Sequence, residues 1–250
     1  MGNGVETSVD SAPSPSDRAS VALSVRLLGP LSIVRDGVPV PLPASRKVRA
    51  LFAYLALSTS PIGRSRLCDL LWDAPNDPRG ELRWCLSKLR NVLDEPDHRR
   101  VQASDDRVAL DLKGCHVDAI EVASAAEEGL KAIELDRLRS LAGLFAGDFL
   151  EGLEIDRNPN FGTWLTAQRR RFTSCHAVIL EQLVARLPSE PDETSAYLEK
   201  WVELAPFDHR AHAMLLSASW RTTPAKLEPF GQTLSESFLT SSRQSKRIVP

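Results

Sequence analysis

The chain has 250 residues, of which 42% are hydrophobic and 26% charged, with a formal net charge of −2. These are the proportions of a soluble globular protein long enough for two modest domains. No apolar run approaches a membrane span, and no basic segment followed by an apolar core marks a signal peptide, so a cytoplasmic protein is expected. The small net charge hides an asymmetry. Residues 21–113 hold 15 Lys/Arg against 11 Asp/Glu, a net of +4, whereas residues 114–220 hold 10 against 17, a net of −7. A basic front and an acidic back suit a phosphate-binding module joined to a domain that must not bind phosphate.

Residues 1–22 are rich in Ser, Pro and Gly and are expected to be a disordered tail. Two short β-prone runs follow between Val25 and Leu42, with an Asp36-Gly37 turn signal. Pro39, Pro41 and Pro43 argue against a central strand there. Arg46 to Leu57 reads as a helix buried by Val48, Leu51, Phe52 and Leu55. A shorter amphipathic helix runs from Arg64 to Trp72, with Leu67, Leu70 and Leu71 as its apolar stripe and Ser65 as candidate N-cap. The prolines of the connector Asp73 to Pro78 then break the chain.

The segment Arg79 to Leu93 follows. Leu82, Leu86, Leu89 and Leu93 recur at spacings of four, three and four and so line one face of a helix. Arg79, Arg83, Ser87, Lys88, Arg90 and Asn91 fall on the remaining surface, and such side chains donate hydrogen bonds to phosphates and base edges. Two β-prone runs from Val101 to Leu112 flank Asp105-Asp106 and read as a hairpin. Helix, connector, longer basic helix and hairpin is the order of a winged helix-turn-helix. The small sheet expected before three helices is the arrangement of the response-regulator type.

From Val117 onward no strand is expected. Helices are predicted over 117–128, 136–144, 161–187, 194–206 and 208–216, with a turn-rich connector from Gly147 to Leu153. The last pair carries a tetratricopeptide-like pattern in Ala196, Leu204, Pro206, Ala211 and Leu215. The three arginines 169–171 splay around their helix and are expected to pair with acids rather than form a patch. Cys68, Cys85, Cys115 and Cys175 show no paired spacing and are expected to be buried free thiols. His209 and His212 lack a third ligand at useful spacing, so no metal and no cofactor are expected. No phosphate loop or nucleophile motif is present, and no enzyme activity is expected.

At this point the chain resembles the Streptomyces antibiotic regulatory protein family of transcriptional activators. Four stretches carry the resemblance: Val25 to Leu31, Leu70 to Trp72, Leu82 to Arg90, and Gly147 to Leu153 together with Phe161, Trp164, Leu165 and Arg169. The resemblance spans about residues 23–220. It implies a mainly α fold with small β elements: a response-regulator-type winged helix-turn-helix over 23–113, then an all-α tetratricopeptide-like bacterial transcriptional activation domain over 114–220. A divergent tail is expected over 221–250. No receiver domain is expected before the winged helix, Gln168 stands where the family commonly has Glu, and the chain is expected to be a short relative.

The expected function is sequence-specific binding of double-stranded DNA and recruitment of RNA polymerase, by a homodimer on direct repeats. Arg79, Arg83, Trp84, Ser87, Lys88, Arg90 and Asn91 are the expected groove residues. Arg46, Lys47, Arg64, Arg99, Arg100 and Arg107 are the expected backbone contacts. The resemblance implies a polymerase contact in the connector, at Asp73, Asn76 and Asp77, with Trp72 anchoring its base in the core. The alternative is a protein-interaction adaptor whose winged helix no longer binds DNA. Trp84 suits either.

Overall fold

The computed structural model describes residues 23–73, 77–155, 158–187 and 191–222. The expected tail over 1–22 lies outside them, as do Asn76 and nearly all of the divergent C-terminal segment. The described residues form two compact units. The first runs to Glu121 and takes in Ala146–Arg169; the second comprises Val122–Phe145 and the chain from Arg170 onward.

The first unit opens with β1 (Leu23–Arg26), β2 (Ser32–Arg35) and β3 (Val38–Pro39). β2 and β3 are joined through Asp36 and Gly37, both at positive φ (50° and 80°), the geometry a tight hairpin turn requires. The prolines are accommodated because β3 is the outermost strand of the sheet, next to β2 alone. Next come α1 (Arg46–Ala56), β4 (Ile62–Gly63), α2 (Arg64–Leu71) and α3 (Pro78–Leu93). The hairpin β5 (Val101–Ala103) and β6 (Arg107–Leu110) follows, with β4 paired to β6. β7 (His116–Val117) then pairs in parallel with β1.

Two expectations change here. Ser65 does not cap α2; the N-cap is Gly63, with no side-chain bond. Gly63 is tied to Arg107 in the β4–β6 pairing, so the sheet sets where this helix begins. The stripe of α2 is Leu67, Cys68 and Leu71, with Leu70 only half-buried. Trp72, in contrast, is buried as expected, at 5% exposure.

The stretches that carried the resemblance converge in this unit. The turn at Leu27, Leu28 and Gly29 receives backbone bonds from Ala146, Leu150 and Glu151. Arg169 donates from Nε to the Phe149 carbonyl and from Nη2 to that of Leu150, each at 3.1 Å. It therefore satisfies backbone oxygens rather than an acid, because Leu150 and Gly152 take positive φ and leave these carbonyls turned outward from regular structure. Trp164 meets Tyr54 and Phe149 edge-on and lies tilted against Phe161. Asp118, buried at the start of α4 (Asp118–Glu128), accepts the N–H groups of Leu27 at 2.8 Å and Leu28 at 3.0 Å.

Every described element of the second unit is a helix. It holds the end of α4, a short 3-10 turn at Leu130–Ala132, α5 (Leu135–Gly143), the part of α6 (Pro159–Arg186) from Arg170 on, α7 (Pro191–Leu204) and α8 (His209–Thr222). Leu180, Val184, Leu198, Trp201 and Ala211 form a shared core for α6, α7 and α8. Ala211 sits in it as expected, but Ala196 is exposed; Leu198 and Trp201 supply the buried face of α7 instead. Arg171 does pair with an acid, Glu127, at 3.8 Å.

Candidate nucleic-acid interface

Helix α3 is built to show one face. Asp77 is its N-cap, accepting the Gly80 N–H at 2.8 Å, and Pro78 occupies the first turn, where its missing N–H costs nothing. A side chain at position 80 would collide with the Asp77 carboxylate, so the glycine keeps the cap in place. Leu82, Leu86, Leu89 and Leu93 are buried, joined by Cys85, whose thiol burial pushes up to about 12. Cys68 is buried as well, whereas Cys115 and Cys175 are only half-buried.

The rotation so fixed turns the other residues outward. At roughly 100° per residue, Trp84, Ser87 and Asn91 lie opposite the leucines. Arg79, Arg83 and Arg90 lie toward one flank and Lys88 toward the other. All seven are exposed. Arg83 reaches Asp77 at 3.7 Å, a loose ion pair between well-solvated groups that a competing phosphate can displace.

The flank with the arginines faces the β5–β6 hairpin across two open grooves. One, of about 370 Å³, is lined by Arg64, Arg79, Arg83, Ser104 and Asp105. The other, of about 790 Å³, is lined by Arg90, Arg99, Gln102 and Ser104. Gln102 and Ser104 were missed in the sequence. Their signal was the alternation of the hairpin, which sends Gln102 outward between Val101 and Ala103. Arg64 is drawn to the hairpin by its backbone N–H to the Asp106 carbonyl and by Nη2 to that of Ser104.

The N-termini of α1 and α2 add cations where helix dipoles favour anions. α1 begins with Arg46 and Lys47, α2 with Arg64 and, two residues on, Arg66; neither has an acid in its first turn. That arrangement disfavours the isolated helix and favours an approaching phosphate. Arg46 is exposed, and Lys47 holds its ammonium 5.4 Å from the centre of the Trp72 ring. Arg99 and Arg107 are exposed.

Arg100 is the correction. It is 4% exposed, and its guanidinium donates to Glu95 at 3.1 and 3.2 Å and to the Cys115 sulfur at 2.9 Å. Adjacent residues entering a strand point to opposite sides, so Arg99 faces solvent and Arg100 the interior. Buried and paired in this way, its guanidinium is not presented to a phosphate. In the connector, Asp73 is exposed and Asp77 is committed to the α3 cap. Among the described residues no cluster of His, Cys, Asp and Glu is placed to hold a metal, and no helix is long and apolar enough to cross a membrane.

The architecture has a solved counterpart. The chain superposes on EmbR of Mycobacterium tuberculosis, in a complex of that protein with a low-affinity phosphopeptide, with a TM-score of 0.61 at 22% identity. The match covers 80% of this chain and 55% of the EmbR chain, so this chain spans about half the length of that protein. The likeness shows a shared fold. No protein-family model and no curated protein sequence matches the chain.

Proposed function

We propose that this protein is a sequence-specific double-stranded-DNA-binding transcriptional activator of the Streptomyces antibiotic regulatory protein type. The observation that carries the proposal is the exposed face of α3, polar and basic around one indole, beside a hairpin groove walled by further arginines. In this reading Arg83, Trp84, Ser87, Lys88, Arg90 and Asn91 enter the major groove, and Arg79 lies at its rim. Arg46, Lys47, Arg64, Arg99 and Arg107 hold phosphates. Arg100 has no part in the contact. The helical second unit serves protein contact, including self-association on direct repeats. Its exposed Phe207 and Leu216 support that role. The connector between α2 and α3 meets RNA polymerase.

The test begins with selection of binding sites from a random duplex pool by the full chain. Enrichment of one motif, with a steep loss of affinity on added salt, is the expected result. No enrichment, with capture of other proteins through α3, would favour the adaptor. For the polymerase contact, Asp73→Ala combined with Asp77→Ser removes both charges while Ser retains an N-cap oxygen. Operator binding should persist and transcription by purified polymerase should fall. Unchanged transcription would reduce the connector to a linker.

A further inference from the structure

We propose that Trp84 reads a thymine: its indole packs against the 5-methyl group of one thymine in the major groove, with Lys88 holding the ring in position. The inference rests on the DNA-binding reading above and adds which base is recognised and by what chemistry. Trp84 is 48% exposed in the middle of α3, directly opposite the leucine stripe. It is the one large apolar side chain on the outward face; its neighbours there are Arg83, Ser87, Lys88 and Asn91. The inner face has no vacancy for it, being filled by Leu82, Cys85, Leu86 and Leu89.

The Lys88 ammonium lies 5.5 Å from the Trp84 ring centre, one helical turn on. A cation at that distance is attracted to the ring face and limits its rotamers. The indole is thus presented as a preset surface rather than a mobile one, which lowers the ordering cost of contact. Polar edges in the major groove match the polar neighbours of Trp84 and the indole N–H, but leave the apolar face of the ring without a complement. The apolar group which that groove displays is the thymine methyl. A ring flanked by Arg83 and Lys88 then sits over a methyl while its neighbours reach hydrogen-bonding edges on either side.

The test uses the full chain and the duplex selected above. Each thymine is replaced singly by deoxyuridine, which removes the methyl and leaves every hydrogen-bonding edge intact. One position should lose roughly fourfold in affinity, the value of burying one methyl-sized group. Trp84→Ala should abolish that penalty, Trp84→Leu should retain part of it, and Arg83→Ala should leave it in place. Equal binding of all uridine-substituted duplexes by the native chain overturns the proposal while leaving DNA recognition standing. So does a penalty that survives unchanged in Trp84→Ala. If no site is enriched in the selection, the DNA-binding reading fails and this inference falls with it. Should Trp84→Ala fail to fold, the uridine scan of the native chain still decides, since a flat profile overturns the proposal.

Discussion

Single residues carry two kinds of constraint in this molecule. His176 in the second unit is stacked flat on Phe145, with ring centres 3.9 Å apart, and its Nε2 has no hydrogen-bond partner among the described residues. Burial, with Lys200 adding to it, holds this imidazole down at about 4. The folded chain keeps His176 neutral at a pH where the unfolded chain takes a proton, so stability is complete above about pH 6.5 and declines as pH falls toward 4. The loss between pH 7.5 and 5 should be about 2 kcal/mol. His176→Phe keeps the stacked ring and should flatten that dependence in urea titrations at the two pH values. An equal slope in both proteins would assign it to other groups. The pair Arg99 and Arg100 separates binding from folding in the same way. Arg99→Ala should weaken all DNA and lower the salt slope by about one. Arg100→Ala should cost about 3 kcal/mol of stability, because it leaves the largely buried Glu95 unpaired. The two sequence neighbours read alike as cations; only the surroundings of Arg100, Glu95 and Cys115, distinguish them.

Among the elements, α3 was the most legible. Four leucines at helical spacing set its rotation, and every residue then expected to face outward is exposed. The hairpin was legible for a similar reason, since Asp105-Asp106 interrupts two alternating runs. The two-residue strands β4 and β7 were not. β4 and β7 exist because partners far along the chain supply their hydrogen bonds, and no local pattern marks them. Asp77 shows a further limit. Its acidity suggested a surface contact, yet its carboxylate is engaged by Gly80. Asp77→Ala should therefore lower stability by about 1 kcal/mol in chemical denaturation, and Asp77→Ser by much less. Equal losses would mean the carboxylate acts through charge. The exposed Arg107 opens β6 of the hairpin. Arg107→Ala should weaken specific and random DNA alike, and an unchanged salt slope would remove the hairpin from the interface.

For the whole molecule, the proposed pairing on direct repeats is measurable without dividing the chain. The full protein should bind two half-sites one helical turn apart cooperatively, and about five inserted base pairs should abolish the cooperativity. Phe207, 90% exposed, offers the corresponding variant. Phe207→Glu should weaken cooperative binding and leave single-site affinity unchanged. Equal cooperativity in that variant would place self-association on another surface.

The parallel pairing of β1 with β7 has a consequence for how the chain is made. Ser24 finds His116 across 92 positions, and the Leu27 and Leu28 amides wait for Asp118 over similar distances. Contacts of such sequence separation form late, since loop closure must come before any of them stabilises the chain. A nascent chain that has emerged only through the hairpin therefore carries β1 as an open edge, a template for pairing with a neighbouring chain. A fragment ended at Lys113 would keep that condition permanently. It would retain every proposed DNA contact and still be expected to aggregate, while one continued through Arg169 regains β7, Asp118 and the segment that closes over Leu27 to Gly29.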